Sequence, residues 1–270
     1  MGETYRGAVA AWECDAFGHL NIAFYVERFA DAARDLLERL AARARWRDRG
    51  IAVRYERELR AGEALVVRSA VAAIDEDGIR LRHETYTGGG ARCTIAEHRL
   101  VPQGAMPAGI VPVAALLQKE DFPVLDIPSG AGPIASGRDR VKPWEIDDSG
   151  LSLLGHLHRF SNACLHVCDA IGMDGDYRRA AGRGFSTFET RLALVGTAPA
   201  AGEGLSLTSS ILAVGNSSIR MLHRMHATGD GREIAHFHQG GVHFDLEQRR
   251  AAPWPAALRA RAEALRTPSA

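Results

Sequence analysis

Ala61-Gly62-Glu63-Ala64-Leu65 returns almost unchanged as Ala201-Gly202-Glu203-Gly204-Leu205, four of five positions matching at an offset of 140 residues. The match runs on at the same offset through Ser69 and Ser209, and through Ile79, Arg80 and His83 against Ile219, Arg220 and His223. Upstream the offset narrows. Tyr55-Glu56 aligns with Phe188-Glu189, Arg28-Phe29 with Arg159-Phe160, and Trp12-Glu13-x-Asp15 with Trp144-Glu145-x-Asp147. These matches keep chain order and need only small gaps. A repeat this long is a duplicated domain and not a solenoid unit. The chain has 270 residues, room for one large or two small domains, and the repeat selects two.

Hydrophobic periodicity gives each half the same element order. In the first, a strand is expected over 4–13, a Gly-containing loop over 14–21 and a helix over 22–42, with Phe24, Phe29, Ala33, Leu36, Leu37 and Leu40 near one face. Asn21 is placed to cap that helix, and Gly50 to stop the segment after it. Four strands should follow near 51–60, 64–74, 78–87 and 91–101, separated by turn signals such as Gly88-Gly89-Gly90. The second half should give a strand at 139–146, a helix at 155–172, and strands at 184–194, 203–214, 217–227 and 232–245. A long helix wrapped by a curled antiparallel sheet of about five strands is an α+β architecture. The expected boundaries are 1–112 for the first domain, 113–138 for a Pro/Gly-rich linker, 139–250 for the second domain and 251–270 for a tail with a short amphipathic stretch, Ala256–Leu265. The two halves are expected to pair side by side, because neither protects its sheet edge well alone.

Composition excludes several classes. Lys plus Arg is 33 and Asp plus Glu is 33, so there is no basic surplus for general nucleic-acid binding. Only Lys119 and Lys142 are lysines. No apolar run approaches the length of a membrane span, and the N-terminus lacks a basic start followed by an apolar core, so no membrane or secretory role is expected. Four cysteines in such a chain read as reduced thiols, and the expected location is the cytoplasm.

Between the first strand and the helix stands Asp15-Ala16-Phe17-Gly18-His19-Leu20-Asn21, with Tyr25 one turn into the helix. A thioester carbonyl is poorly resonance-stabilised and thiolate leaves readily. Its hydrolysis needs a carboxylate to attack or activate water, and donors for the developing oxyanion. Asp15 can supply the first. Backbone N–H groups near Gly18 and at the helix start can supply the second. The structural alternatives are an Asp15 turn and an Asn21 helix cap. The pattern Asp-x-x-Gly-His-x-Asn-x-x-x-Tyr resembles hotdog-fold acyl-CoA thioesterases of the 4-hydroxybenzoyl-CoA thioesterase type, most strongly over residues 4–101. The resemblance implies a tandem double hotdog, a covalent form of the family's dimer that could associate further. It implies acyl-CoA as substrate, no metal or redox cofactor, and Asp15 as nucleophile or general base. Gly18, His19 and Asn21 would shape the loop or bind the thioester, and Tyr25 would line the acyl pocket or pack. Alternatives on the same scaffold are a non-catalytic acyl-CoA-binding protein and a hydratase or dehydratase using His19 with Glu56 or Glu189.

The second copy departs from the pattern. Asp147-Asp148-Ser149-Gly150 keeps Asp and Gly, but Leu151 and Leu153 replace His19 and Asn21. A rival alignment sets Gly155-His156 on Gly18-His19 and loses both Asp and Asn. One competent site around Asp15 is therefore expected, with Asp147, Glu56 and Glu189 as reserve carboxylates. Cys164, His166 and Cys168 crowd one segment, but Cys164 and Cys168 share a helical face that His166 does not, so a metal is not expected there.

Overall fold

The structure is a computed structural model and describes residues 1–42, 44–75, 78–113 and 132–267. The chain is α+β, with extensive antiparallel sheet and few helices. It divides into two compact units, Met1–Phe122 with Ile146–Leu157, and Pro123–Glu145 with His158–Ala270.

In the first unit, strand β1 (Gly2–Ala8) leads through a 3-10 turn (Ala11–Glu13) and the Asp15 loop into helix α1 (Ile22–Arg39). Strands β2 (Trp46–Tyr55), β3 (Ala64–Asp75), β4 (Gly78–Thr87) and β5 (Arg92–Pro102) follow. They pair antiparallel in the order β1-β3-β4-β5-β2. Helix α1 buries one stripe that includes Phe29, and packs Ala33 and Leu37 into a cluster with Val71, Ile79, Leu81 and Leu100. Phe29 stacks on the His83 ring at 5.4 Å. His83 Nδ1 meets Ser69 Oγ at 2.6 Å, which also bonds Thr4 Oγ1 at 2.6 Å, so the polar side chains cross the core as a chain.

β6 (Ile134–Arg140) opens the second unit, followed by a 3-10 turn (Pro143–Glu145). The hairpin β7 (Ile146–Asp147) and β8 (Gly150–Leu151) belongs to the first unit, and helix α2 (Leu153–Ile171) begins there before running into the second. Helix α3 (Gly175–Ala181) and strands β9 (Arg183–Leu194), β10 (Gly204–Val214), β11 (Ser218–Ala227) and β12 (Glu233–Asp245) come next. The pairing order is β9-β12-β11-β10-β6, with β13 (Arg250–Ala251) also on β12. Helix α4 (Ala256–Ala264) packs Leu258 and Ala262 into the apolar cluster that holds Cys164 and Cys168.

Several boundaries differ from expectation: α1 ends at Arg39, β2 at Tyr55 and β6 at Arg140, each earlier than expected. β1 ends at Ala8, because the Ala11–Glu13 turn is pinned by the Glu13 carboxylate. β2 begins at Trp46, because Gly50 sits beside a bulge inside the strand and does not end a segment. Strand β6 begins at Ile134, inside the stretch expected to be linker, of which 114–131 lies outside the described residues. Helix α3 was not anticipated; Asp174 caps it through Tyr177 N at 2.8 Å, and Gly182 closes it at φ 60°.

The second unit repeats the buried polar chain as Ser136, Ser209 and His223, both contacts at 2.6 Å. Burial pushes the fully enclosed His223 down to about 3, and burial with the neighbouring His236 pushes His238 to about 4. A histidine depressed on folding stabilises the native state fully above its unfolded pKa near 6.5, and that contribution is lost as pH falls toward the folded value. The melting temperature should therefore decline steadily from pH 6.5 to pH 4. A flat profile over that range would show that these two rings protonate freely in the folded protein.

Candidate active site

The Asp15 loop is built on a buried ion pair. Glu13 and Arg28 meet at 2.7 and 2.9 Å, both nearly enclosed. Glu13 also accepts Ala10 N at 2.7 Å, and Arg28 donates to Phe24 O and Ala8 O. The end of β1, the 3-10 turn and α1 are thus tied at one point. Asn21 N returns to Glu13 O at 3.0 Å and closes the loop. Asn21 caps α1 by accepting Ala23 N at 3.0 Å.

Inside that frame Asp15 is both turn residue and exposed carboxylate. Its Oδ1 accepts Phe17 N at 2.8 Å and His19 N at 3.0 Å. Its backbone N bonds His19 O, and its O accepts Gly18 N. Both bonds to the carboxylate fall on Oδ1, leaving Oδ2 without a partner among the described residues. Leu20 N bonds Leu59 O at 2.8 Å. Every backbone N–H from Phe17 to Asn21 is thus in use, so the expected oxyanion donors near Gly18 are not free. The loop consumes them in making its own turn. The N–H of Ile22, first in α1, has no acceptor among the described residues, as helix starts require. Gly18 has φ +76° with open space at its Cβ position. Gly18→Ala should therefore cost only backbone strain, about 1–2 kcal/mol, seen as a fall of a few degrees in melting temperature. No loss would mean the loop relaxes out of this turn.

Tyr25 packs. It is buried, its ring meets Tyr55 edge-on at 5.5 Å, and its hydroxyl accepts Leu59 N at 3.1 Å. It holds the segment that receives Leu20 and does not present its hydroxyl to a ligand. His19 Nε2 lies 3.3 Å from Glu58 Oε2. The carboxylates considered as its partners are engaged elsewhere: Glu56 with Arg92 at 2.9 Å through both oxygens, and Glu189 with Arg220.

The second copy repeats the frame. Glu145 binds Arg159 at 2.8 and 2.9 Å and accepts Lys142 N at 2.7 Å. Asp147 Oδ1 then accepts Ser149 N at 2.7 Å, the counterpart of Asp15 with Phe17. Asp147 is therefore the equivalent of Asp15. His156 belongs to the first turn of α2, its Nδ1 on Ser152 O. Unlike Asp15, Asp147 is tied through Oδ2 to Arg34 at 2.8 Å, while burial raises its pKa.

A cavity of about 480 Å³ lies in the first unit, between α1, the start of β2 and residues Asp148 and Ser149. On its wall are Asp48 and His98, whose Oδ1 and Nε2 meet at 2.7 Å. Both are buried, His98 completely. Burial pushes the Asp48 carboxyl up, but the His98 hydrogen bond and the fields of His98, Arg34 and His156 hold it below the usual range. Sequence reasoning missed this pair. The available signal was His98 on the same strand parity as Ala96 and Leu100, an ionisable ring on an inward face.

The family model described as the thioesterase-like superfamily matches residues 9–104 and 141–262, most of both halves. A search of curated proteins found no match to the sequence. Among solved structures, the 12:0-ACP thioesterase from Umbellularia californica superimposes with a TM-score of 0.66 at 12% identity, covering 88% of this chain and 93% of its own. An acyl-ACP thioesterase from Bacteroides thetaiotaomicron gives 0.63 at 11%, covering 88% and 96%. An acyl-CoA thioesterase II from Mycobacterium marinum gives 0.53 at 13%, covering 87% and 93%. At these identities the likeness is one of fold.

Proposed function

The chain belongs to the thioesterase-like superfamily and is a thioester hydrolase, and from that premise we propose that it cleaves a small acyl-CoA to the free acid and CoA with Asp15 as nucleophile or general base. The observation that carries this reading is the asymmetry of the two loop carboxylates. Each accepts the backbone N–H two residues on and follows a Glu–Arg ion pair in sequence, but Arg34 occupies Asp147 Oδ2 while Asp15 Oδ2 is exposed and unengaged. A carboxylate fixed through one oxygen, with the other open, can meet a carbonyl carbon or take a proton from water without reorganising.

In this reading Phe17 and His19 N–H groups aim the carboxylate, and Gly18 permits the turn. Negative charge developing on the carbonyl oxygen is met at the start of α1, where the Ile22 N–H is open and the helix dipole favours an anion. Asn21 fixes that helix start, and Tyr25 anchors the loop through Leu59. The two copies form a double hotdog, each half a long helix and a five-stranded sheet, with no metal or redox cofactor called for by the chemistry.

The test is thiol release from short, branched and aromatic acyl-CoAs by the full chain. Turnover of at least one supports the reading. Tight binding of an acyl-CoA with no turnover of any would replace it with a non-catalytic binding role.

A further inference from the structure

We propose that the cavity beside Asp48 is a binding site for a small alkylammonium ligand, its ammonium group on the Asp48 carboxylate and its alkyl part along the apolar wall. This stands apart from the reading of Asp15, because it rests on other residues.

The two units supply an internal comparison. In the first, Asp48 lies opposite Leu100, a bulge intervenes, and Ile51 lies opposite His98. In the second, Thr187 lies opposite Gly241, a bulge intervenes, and Thr190 lies opposite Gln239. Thr187 and Gln239 thus occupy the positions of Asp48 and His98, and they hydrogen-bond at 2.8 Å. This register sets Glu189 on Gly50, so the expected match of Tyr55-Glu56 with Phe188-Glu189 does not hold in the strand pairing. A neutral pair therefore occupies this corner of the fold in the second unit. Burying a carboxylate there costs several kcal/mol that the architecture does not demand.

The charge is also incompletely answered. His98 engages only Oδ1 of Asp48, and Oδ2 has no hydrogen-bond partner among the described residues. His98 Nδ1 is buried without a partner. Arg34, a cation on the same wall, is already bound by Asp147 at 2.8 Å and Asp31 at 3.4 Å. Glu38 and Asp148 line the same space against Arg45, so the described lining favours a cation. Trp46 shares the strand face of Asp48, its ring fixed by Nε1 donating to Ala42 O. Ala33, Leu37 and Leu100 complete an apolar surface for an alkyl stem. A volume near 480 Å³ suits a small molecule.

The experiment titrates n-butylammonium chloride into the full chain against n-butanol, its neutral analogue, at matched sodium chloride. Binding is read from tryptophan fluorescence and from melting temperature. The cation should bind at least about tenfold more tightly than the alcohol, the gain of one charged hydrogen bond. Asp48→Asn should abolish that preference. So should the double variant Asp48→Thr with His98→Gln, which installs the pair already accommodated in the second unit and so guards against a folding failure. Asp15→Asn should keep it, which separates this site from the proposed hydrolytic one. Equal binding of cation and alcohol, or an undiminished preference in the folded double variant, would overturn the proposal.

Discussion

Asp15→Asn is expected to lower thiol release by about 100- to 10,000-fold, the range for loss of a positioned acid–base or nucleophilic group, with little change in melting temperature. The substitution keeps Oδ1, and with it the acceptor for Phe17 N and His19 N that holds the turn. What it removes is the charge and the basicity of Oδ2. Asp147→Asn is the matched control. It makes the same change at the equivalent position, but on a carboxylate already bound by Arg34, and should leave turnover within the same order of magnitude. If the two effects are exchanged, the reaction runs at the second loop. If neither variant loses activity, the attacking group is not a loop carboxylate, and the asymmetry between Asp15 and Asp147 is structural.

The repeat and the helix-and-strand order were legible because both report on burial. The apolar stripe of 22–40 is set by which side chains enter the core, and the α1 residues that do so include Phe24, Phe29, Ala33 and Leu37. Gly50 was misread for an instructive reason. The run Trp46-Arg47-Asp48-Arg49-Gly50 has a charged residue at an inward position, so it reads as a loop. The inward charge is Asp48 beside the cavity, so local pattern failed where a side chain serves something other than packing. The Asp15 loop was legible as a motif, but its hydrogen bonds were not. Nothing in one-dimensional spacing says that Asp15 would consume the Phe17 and His19 donors and leave the free N–H at Ile22. The rival alignments of the second loop were separable only by geometry, through the Asp147 turn behind Glu145 and Arg159. That same geometry shows that the Trp-Glu match in the repeat recorded an ion pair in each copy, buried in the first and half-buried in the second.

Glu13→Ala should be the most damaging single change to the first unit, costing about 3–5 kcal/mol and roughly 10 °C in melting temperature. Arg28 is only 3% exposed, so removing its partner strands a guanidinium in the interior. Ala10 N loses its acceptor as well. Replacing both members, Glu13→Leu with Arg28→Met, should recover much of the loss, because an absent charge is cheaper than an uncompensated one. Activity should not recover in step. The Glu13 carboxylate fixes the 3-10 turn whose backbone oxygen receives Asn21 N, and through it the approach of Asp15 to the start of α1. An apolar pair can fill the volume but supplies no acceptor for Ala10 N, so the turn loses its anchor while the core stays packed. A double variant with near-native melting and reduced kcat would identify the pair as a positioning device for the loop. Recovery of both together would assign it to stability alone. A single Glu13→Ala variant that melts with the wild type would show that Arg28 finds another partner and that the loop does not depend on this pair.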